Sequence, residues 1–210
     1  MSIFARVMKG KNLYIISGPN GAGKTTASMT LLTEVFKCKE YVNADAIAMG
    51  LSPFNPESMA LLAGRLMLAR IDELLEKNED FAVETTLATK SYRQLIVRAR
   101  SQGYRVWLVF FWLQSPEVAI QRVALRVSEG GHNIQEEVIR RRYKAGLRNL
   151  FSIYMPLVDY WMLVDNTITP RTIVAEGGAD FRPVIRNVER YKLIQDYGNA
   201  NVEKGMEKHE

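Results

Sequence analysis

Residues 13–26 read LYIISGPNGAGKTT, and this stretch decides the fold. Residues 13–17 are an apolar run of strand length. From Gly18 to Thr25 the chain then matches G-x-x-x-x-G-K-[ST] in full, and a helical pattern follows over 25–36. A glycine-rich turn between a strand and a helix lets backbone N–H groups converge on phosphate oxygens, and the helix N-terminus adds the positive end of its dipole. The candidate nucleotide-binding residues are Gly18, Pro19, Asn20, Gly21, Ala22, Gly23, Lys24, Thr25 and Thr26. In such a cradle Lys24 would bridge the β- and γ-phosphates of ATP, and the Thr25 hydroxyl would sit on Mg²⁺.

Working outward, four more apolar runs of strand length stand at 41–44, 81–84, 106–113 and 161–164. Helical patterns separate them. Strands alternating with helices imply βαβ units and a parallel sheet with helices on both faces, whose ligands gather at the carboxyl ends of the strands. Helices are expected at 25–36, with Met29, Leu32, Val35 and Phe36 as the apolar stripe; at 58–75, with Met59, Leu62, Leu66 and Ala69; and at 92–101. Pro53, Asn55 and Pro56 mark a turn before the second, and Gln102 with Gly103 closes the third. Beyond Val174 the pattern weakens. Gly177 and Gly178 read as a break, 188–197 as a short helix, and about 198–210 as a weakly ordered tail.

The 210 residues suffice for one three-layer core and are too few for two, so the whole chain is expected to be a single P-loop domain. A net charge of +5 suits a polyanionic substrate, a nucleic acid or a membrane surface, or simply a solvated exterior. Cys38 is the only cysteine, which excludes an internal disulfide or a cysteine metal cluster and points to a reducing compartment. The longest apolar run is far shorter than a membrane span, and the first residues carry no leader pattern. The expected location is cytoplasmic, with no membrane partner.

Two carboxylates stand where a catalytic group is needed. The second run ends in Asn43-Ala44-Asp45 and the third in Glu84-Thr85-Thr86. Residues two apart share one side of a strand, which pairs Asn43 with Asp45 and Glu84 with Thr86 at the carboxyl edge. An acid there can take the proton of an attacking hydroxyl, and Asp45 is the better placed. Its competing role is to cap the helix that follows. Glu84, at the end of a buried strand, needs a partner or a task. The run at 106–113 passes into Gln114, Ser115 and Pro116 rather than an Asp-Glu pair, which favours a small-substrate kinase over a mechanical ATPase.

Residues 117–150 carry seven basic side chains, Arg122, Arg126, Arg140, Arg141, Arg142, Lys144 and Arg148, against four acidic ones. Ile120, Val123, Ala124 and Val127 form the core-facing stripe of one helix, with Arg122 and Arg126 on its other face. Gly130, Gly131 and His132 interrupt it. A second helix starts near Gln135 and packs through Ile139, Tyr143, Gly146 and Leu150, with Arg142 bordering that stripe and Arg141 pointing away. Two helices, a Gly-Gly hinge and arginines on both arms suit a lid that closes on the transferring phosphoryl group. Solvated surface arginines are the plain alternative, which fits Arg140 and Arg148. His132 reads equally as a hinge or a site-lining residue. With His209 in the tail, no histidine metal site is expected.

These motifs, together with Ala63-Gly64-Arg65 and Asp165-Asn166, resemble the zeta toxin-like P-loop kinases over about residues 12 to 175. The resemblance implies a P-loop NTPase three-layer α/β sandwich, a mainly parallel five-stranded sheet in the order 2-3-1-4-5, and a helical lid at about 117–150. Zeta toxins phosphorylate UDP-N-acetylglucosamine on a sugar hydroxyl. By motif, Asp45 matches their catalytic base, while Glu84 and Thr86 match residues that hold the substrate. The lid arginines match those around the γ-phosphate, and helix geometry favours Arg126 and Arg142. Asn43 and Arg65 complete the candidate substrate-binding set. The Gly-Gly-His lid is similar to that of shorter chromosomal relatives rather than of the toxins themselves. The expected function is therefore ATP- and Mg²⁺-dependent phosphorylation of a small-molecule hydroxyl, with Lys24, Asp45, Arg126 and Arg142 as the catalytic set. A nucleoside or polynucleotide 5′-kinase and an ATP-binding switch are the competing readings. No aromatic cluster accompanies the lid arginines, so no nucleic-acid partner is expected. The resemblance leaves room for an antitoxin partner, for which no residue calls.

Overall fold

The computed structural model describes residues 10–131 and 133–199. His132 and residues 200–210, with most of the expected tail, lie outside that range; Gly198 and Asn199 still belong to the last helix. Strands β1 (Asn12–Ser17), β2 (Glu40–Val42), β3 (Phe81–Thr85), β4 (Arg105–Trp112) and β5 (Tyr160–Asp165) are parallel and lie in the order β2-β3-β1-β4-β5. That is the expected order. Every residue of β1 is buried, as is all of β4 after Arg105, which is why both read as unbroken apolar runs. Ser17 pairs in register with Thr85 and Phe110, so the carboxyl ends of the three central strands form one edge.

The helices are α1 (Lys24–Thr30), α2 (Ala44–Leu51), α3 (Ala60–Lys77), α4 (Tyr92–Ser101), α5 (Pro116–Ser128), α6 (Glu136–Asn149) and α7 (Val188–Asn199). Three expected stripes are corrected. In the first helix Leu32 and Phe36 are buried, but Met29 and Val35 are exposed. After Thr30 the helix widens into an i→i+5 turn, with Phe36 N–H donating to Leu31 O at 3.0 Å. The extra residue rotates Phe36 onto the Tyr14 ring, 4.4 Å between centroids. In α3 the buried line is Ala63, Met67, Ile71, Leu74 and Leu75, whereas Leu62 and Leu66 are 44% and 42% exposed. The first half of α3 is apolar on all sides, and only the line that continues through Ile71 and Leu74 can stay buried along the whole helix. In α5, Pro116, Ala119 and Val123 are buried and Ala124 is exposed.

The sheet also has two strands that the apolar pattern hides. Antiparallel β6 (Thr172–Gly178) adds to β5, and β7 (Phe181–Ile185) adds to β6. Gly177 and Gly178, expected as a break, are inside β6. A Cβ on Gly177 would stand 2.4 Å from the Trp161 indole, so the ring fills the place of a side chain. Glu176 is buried in the same strand, ion-paired with Arg186 and accepting the Tyr160 hydroxyl. Among the described residues, no helix is long and apolar enough to cross a membrane.

Candidate active site

The Gly18–Thr25 turn lies at the end of β1 and is braced from two neighbouring strands. A Cβ on Gly18, at φ +139°, would fall 2.2 Å from the Phe111 carbonyl of β4, so only glycine fits. Asn166, just past β5, donates its side-chain N–H to Ala22 O at 2.8 Å. Gly23, at φ +71°, passes so close that a Cβ would meet that same amide at 2.9 Å. The Asp165-Asn166 pair thus buttresses the cradle, and Asp165 in turn accepts from Thr167 N and faces Arg190.

Lys24 is 7% exposed. Its Nζ donates to Pro19 O at 3.0 Å and stands 3.7 Å from Glu84 Oε1. Burial pulls its pKa below the ordinary lysine value. Glu84 and Asp45 work against that shift, and Arg126 and Arg142 add to it. The charges of both candidate acids and both candidate lid arginines thus act on one buried amine at the carboxyl edge.

Glu84 has the partners its position demanded. Its Oε2 accepts the Thr25 hydroxyl at 2.9 Å and also the Tyr41 hydroxyl. Tyr41 was not singled out from sequence, although it lies two residues before Asn43 on the strand that leads to the edge. Tyr92 was also missed. Its hydroxyl reaches the Glu84 carbonyl at 3.5 Å and Met67 Sδ at 3.8 Å. Burial raises its pKa, with a hydrogen bond to Thr85 opposing the shift and the Asp45 and Glu84 charges adding to it.

The local account of Asn43 and Asp45 is corrected. β2 ends at Val42, so the two are not strand neighbours. Asn43 is the helix cap: its Oδ1 accepts from Asp45 N at 2.9 Å and Ala46 N at 3.3 Å. Asp45 occupies the first turn of α2 with its carboxylate exposed, so the capping alternative falls to its neighbour. Thr86 is half-buried and its Oγ1 accepts from Ala88 N at 3.4 Å. Arg65 stands exposed on α3, and Thr26 is exposed beside Thr25.

The two arms of the expected lid differ. Gly130 N–H donates to Val127 O and Gly131 N–H to Arg126 O, at 3.0 and 2.8 Å. That pattern is a Schellman cap closing α5, which accounts for the glycine pair without a hinge. Helix α6 is fastened down. A Cβ on Gly146 would stand 2.5 Å from Thr86 O, Asn149 donates to Leu87 O at 2.8 Å, and the Tyr143 hydroxyl donates to Leu113 O at 2.5 Å. Arg142 thus projects from a fixed helix, half-buried, while Arg141 is exposed. Arg122 donates to Thr167 O at 2.8 Å, and Arg140 pairs with Glu117 on the surface.

A phosphate cradle at the end of a central strand, on a sheet ordered β2-β3-β1-β4-β5, defines a P-loop domain of the kinase-like α/β type. The chain belongs to the family described as an AAA domain, whose model matches residues 13–150. An uncharacterized protein of Haemophilus influenzae is 30% identical over 137 residues, 65% of this chain and 95% of that protein. A chain from the PezAT chromosomal toxin–antitoxin system of Streptococcus pneumoniae has a TM-score of 0.66 at 16% identity, covering 95% of this chain and 89% of its own. The AvrRxo1-ORF1:ORF2 structure determined with ATP has a TM-score of 0.69 at 17% identity, covering 91% of this chain and 66% of the other. At these identities the likeness is one of fold, and in fold it agrees with the resemblance read from the motifs.

Proposed function

We propose that this protein transfers the γ-phosphoryl group of ATP to a hydroxyl of a small molecule. The observation that carries the reading is the phosphate cradle at the carboxyl edge, with the buried Lys24 amine 3.7 Å from a Glu84 carboxylate that also accepts the Thr25 hydroxyl at 2.9 Å. The P-loop backbone and Lys24 bind the phosphates; to reach them, Lys24 leaves Pro19 O. Asp45, exposed and unencumbered by capping, takes the proton of the acceptor hydroxyl. In this reading Arg126 and Arg142 neutralise the charge that spreads on the transferring group. Glu84 holds the Thr25 hydroxyl in place.

The donors beside the phosphate position are hard oxygens, from Thr25 and Glu84, and they suit Mg²⁺. The described residues contain no cluster of three or more His, Cys, Asp or Glu side chains that would hold a metal alone. The ion would therefore arrive with the nucleotide, where it neutralises phosphate charge. Thr25 is the residue that would meet it, with Glu84 behind.

Nucleotide sugars such as UDP-N-acetylglucosamine are the first acceptors to test. The protein is incubated with Mg-ATP and a fractionated metabolite extract, and products are read by mass spectrometry. One fraction should stimulate ATP consumption and yield a phosphorylated product. ATP binding with no stimulation by any fraction would instead support the switch.

A further inference from the structure

We propose that Tyr41 is a positioning residue of this site: its hydroxyl holds the Glu84 carboxylate in the orientation that directs the Thr25 hydroxyl into the cradle. The inference rests on reading Thr25 as the P-loop hydroxyl that meets the metal–nucleotide complex.

A glutamate side chain has three rotatable bonds, so its carboxylate is only as fixed as its contacts. Two contacts of Glu84 come from the P-loop itself, Lys24 at 3.7 Å from Oε1 and Thr25 at 2.9 Å from Oε2. Both belong to groups that must rearrange toward phosphate when nucleotide enters. The Tyr41 hydroxyl comes from β2, outside the loop, and donates to Oε2 from a frame that nucleotide does not displace. Burial, and after it the Glu84 charge, push the Tyr41 pKa up, so the phenol stays protonated and able to donate across the neutral range.

The phenol is itself tied to the acceptor side. Asn43 donates from Nδ2 to the Tyr41 oxygen at 3.4 Å while its Oδ1 caps the helix that carries Asp45. A continuous chain of polar contacts, Asn43 to Tyr41 to Glu84 to Thr25, therefore links the two substrate sides.

The test is Tyr41→Phe, which removes one oxygen and keeps the ring. ATP binding is titrated calorimetrically with and without Mg²⁺ for wild type, Tyr41→Phe, Glu84→Gln, the double variant and Thr25→Ala. In Tyr41→Phe, metal-free ATP affinity should stay within about twofold, while the tightening by Mg²⁺ should shrink roughly three- to tenfold, as for a lost hydrogen bond to a charged group felt through one intermediary. In the Glu84→Gln background the same substitution should change nothing further. An unchanged Mg²⁺ dependence in Tyr41→Phe overturns the proposal. An equal loss of affinity with and without metal also overturns it, because that marks a merely structural role. So does an undiminished effect on top of Glu84→Gln. If Thr25→Ala leaves the Mg²⁺ dependence intact, the underlying reading of the P-loop fails, and that outcome is distinct from the others.

Discussion

Asp45 is exposed in the first turn of α2, and its neighbour Asn43 supplies the cap. The two substitutions Asp45→Asn and Asn43→Ala should therefore separate chemistry from stability. Asp45→Asn keeps size and removes the base, so acceptor-dependent turnover should fall about 10²–10⁴-fold. Melting temperature and ATP affinity should hardly move. Asn43→Ala should instead cost about 0.5–2 kcal/mol of stability, read by denaturant titration. Normal turnover in Asp45→Asn removes it from the proposed mechanism. At this scale the sequence is most explicit where a pattern demands particular atoms, as in Gly18, Gly23 and Lys24. It is least explicit at Tyr41 and Tyr92, because a tyrosine on a half-buried strand or helix face has an ordinary packing role and only its neighbours in space show what the hydroxyl does.

Two helical glycines make opposite predictions at the scale of the element. Gly64, within α3, has nothing within 4 Å of where a Cβ would stand. Gly64→Ala should stabilise the protein by about 0.4–1 kcal/mol, by lowering the entropy of the unfolded chain. Gly146 in α6 meets the Thr86 carbonyl at 2.5 Å, a backbone contact that cannot yield without moving the helix. Gly146→Ala should cost about 1–3 kcal/mol and also lower turnover, since Arg142 rides on the same helix. Thermal melts of the two variants should shift in opposite directions, and equal shifts would contradict the packing described. Element by element, β1, β4 and β5 were legible because central parallel strands are buried almost throughout, while β3 and the short edge strand β2 showed only their apolar parts. The buried face of α3 was not. Leu62 and Leu66 repeat as regularly as Ala63 and Met67, and the choice between them depends on Ile71, Leu74 and Leu75 further along. The hairpin β6–β7 was hidden because a buried glutamate and two glycines imitate a loop, and each finds its reason only in a partner strand.

For the molecule as a whole, that hairpin carries a pH dependence. Burial alone would raise the Glu176 pKa, but the Tyr160 hydroxyl and the Arg186 guanidinium outweigh it and hold the carboxyl below the ordinary glutamate value. A folded pKa below the unfolded one means that the native state binds fewer protons, so the contribution to stability is fully present above the unfolded value of about 4.3. It is lost as pH falls through that value towards the lower folded pKa. Melting temperature should thus decline between about pH 5 and pH 3 more steeply in wild type than in Glu176→Gln. Parallel curves would show that Glu176 does not drive the decline.

The two outer strands of the sheet set how the molecule meets its own copies. β2 offers only three residues of free edge. On β7 the pairing with β6 slips by one residue between Val184 and Phe181, around Pro183, which has no backbone N–H to donate. A neighbouring chain seeking to extend the sheet would find a short ledge on one side and a bulged, proline-bearing strand on the other. At the high concentrations that calorimetry requires, the protein is therefore guarded against stacking edge to edge into fibrils.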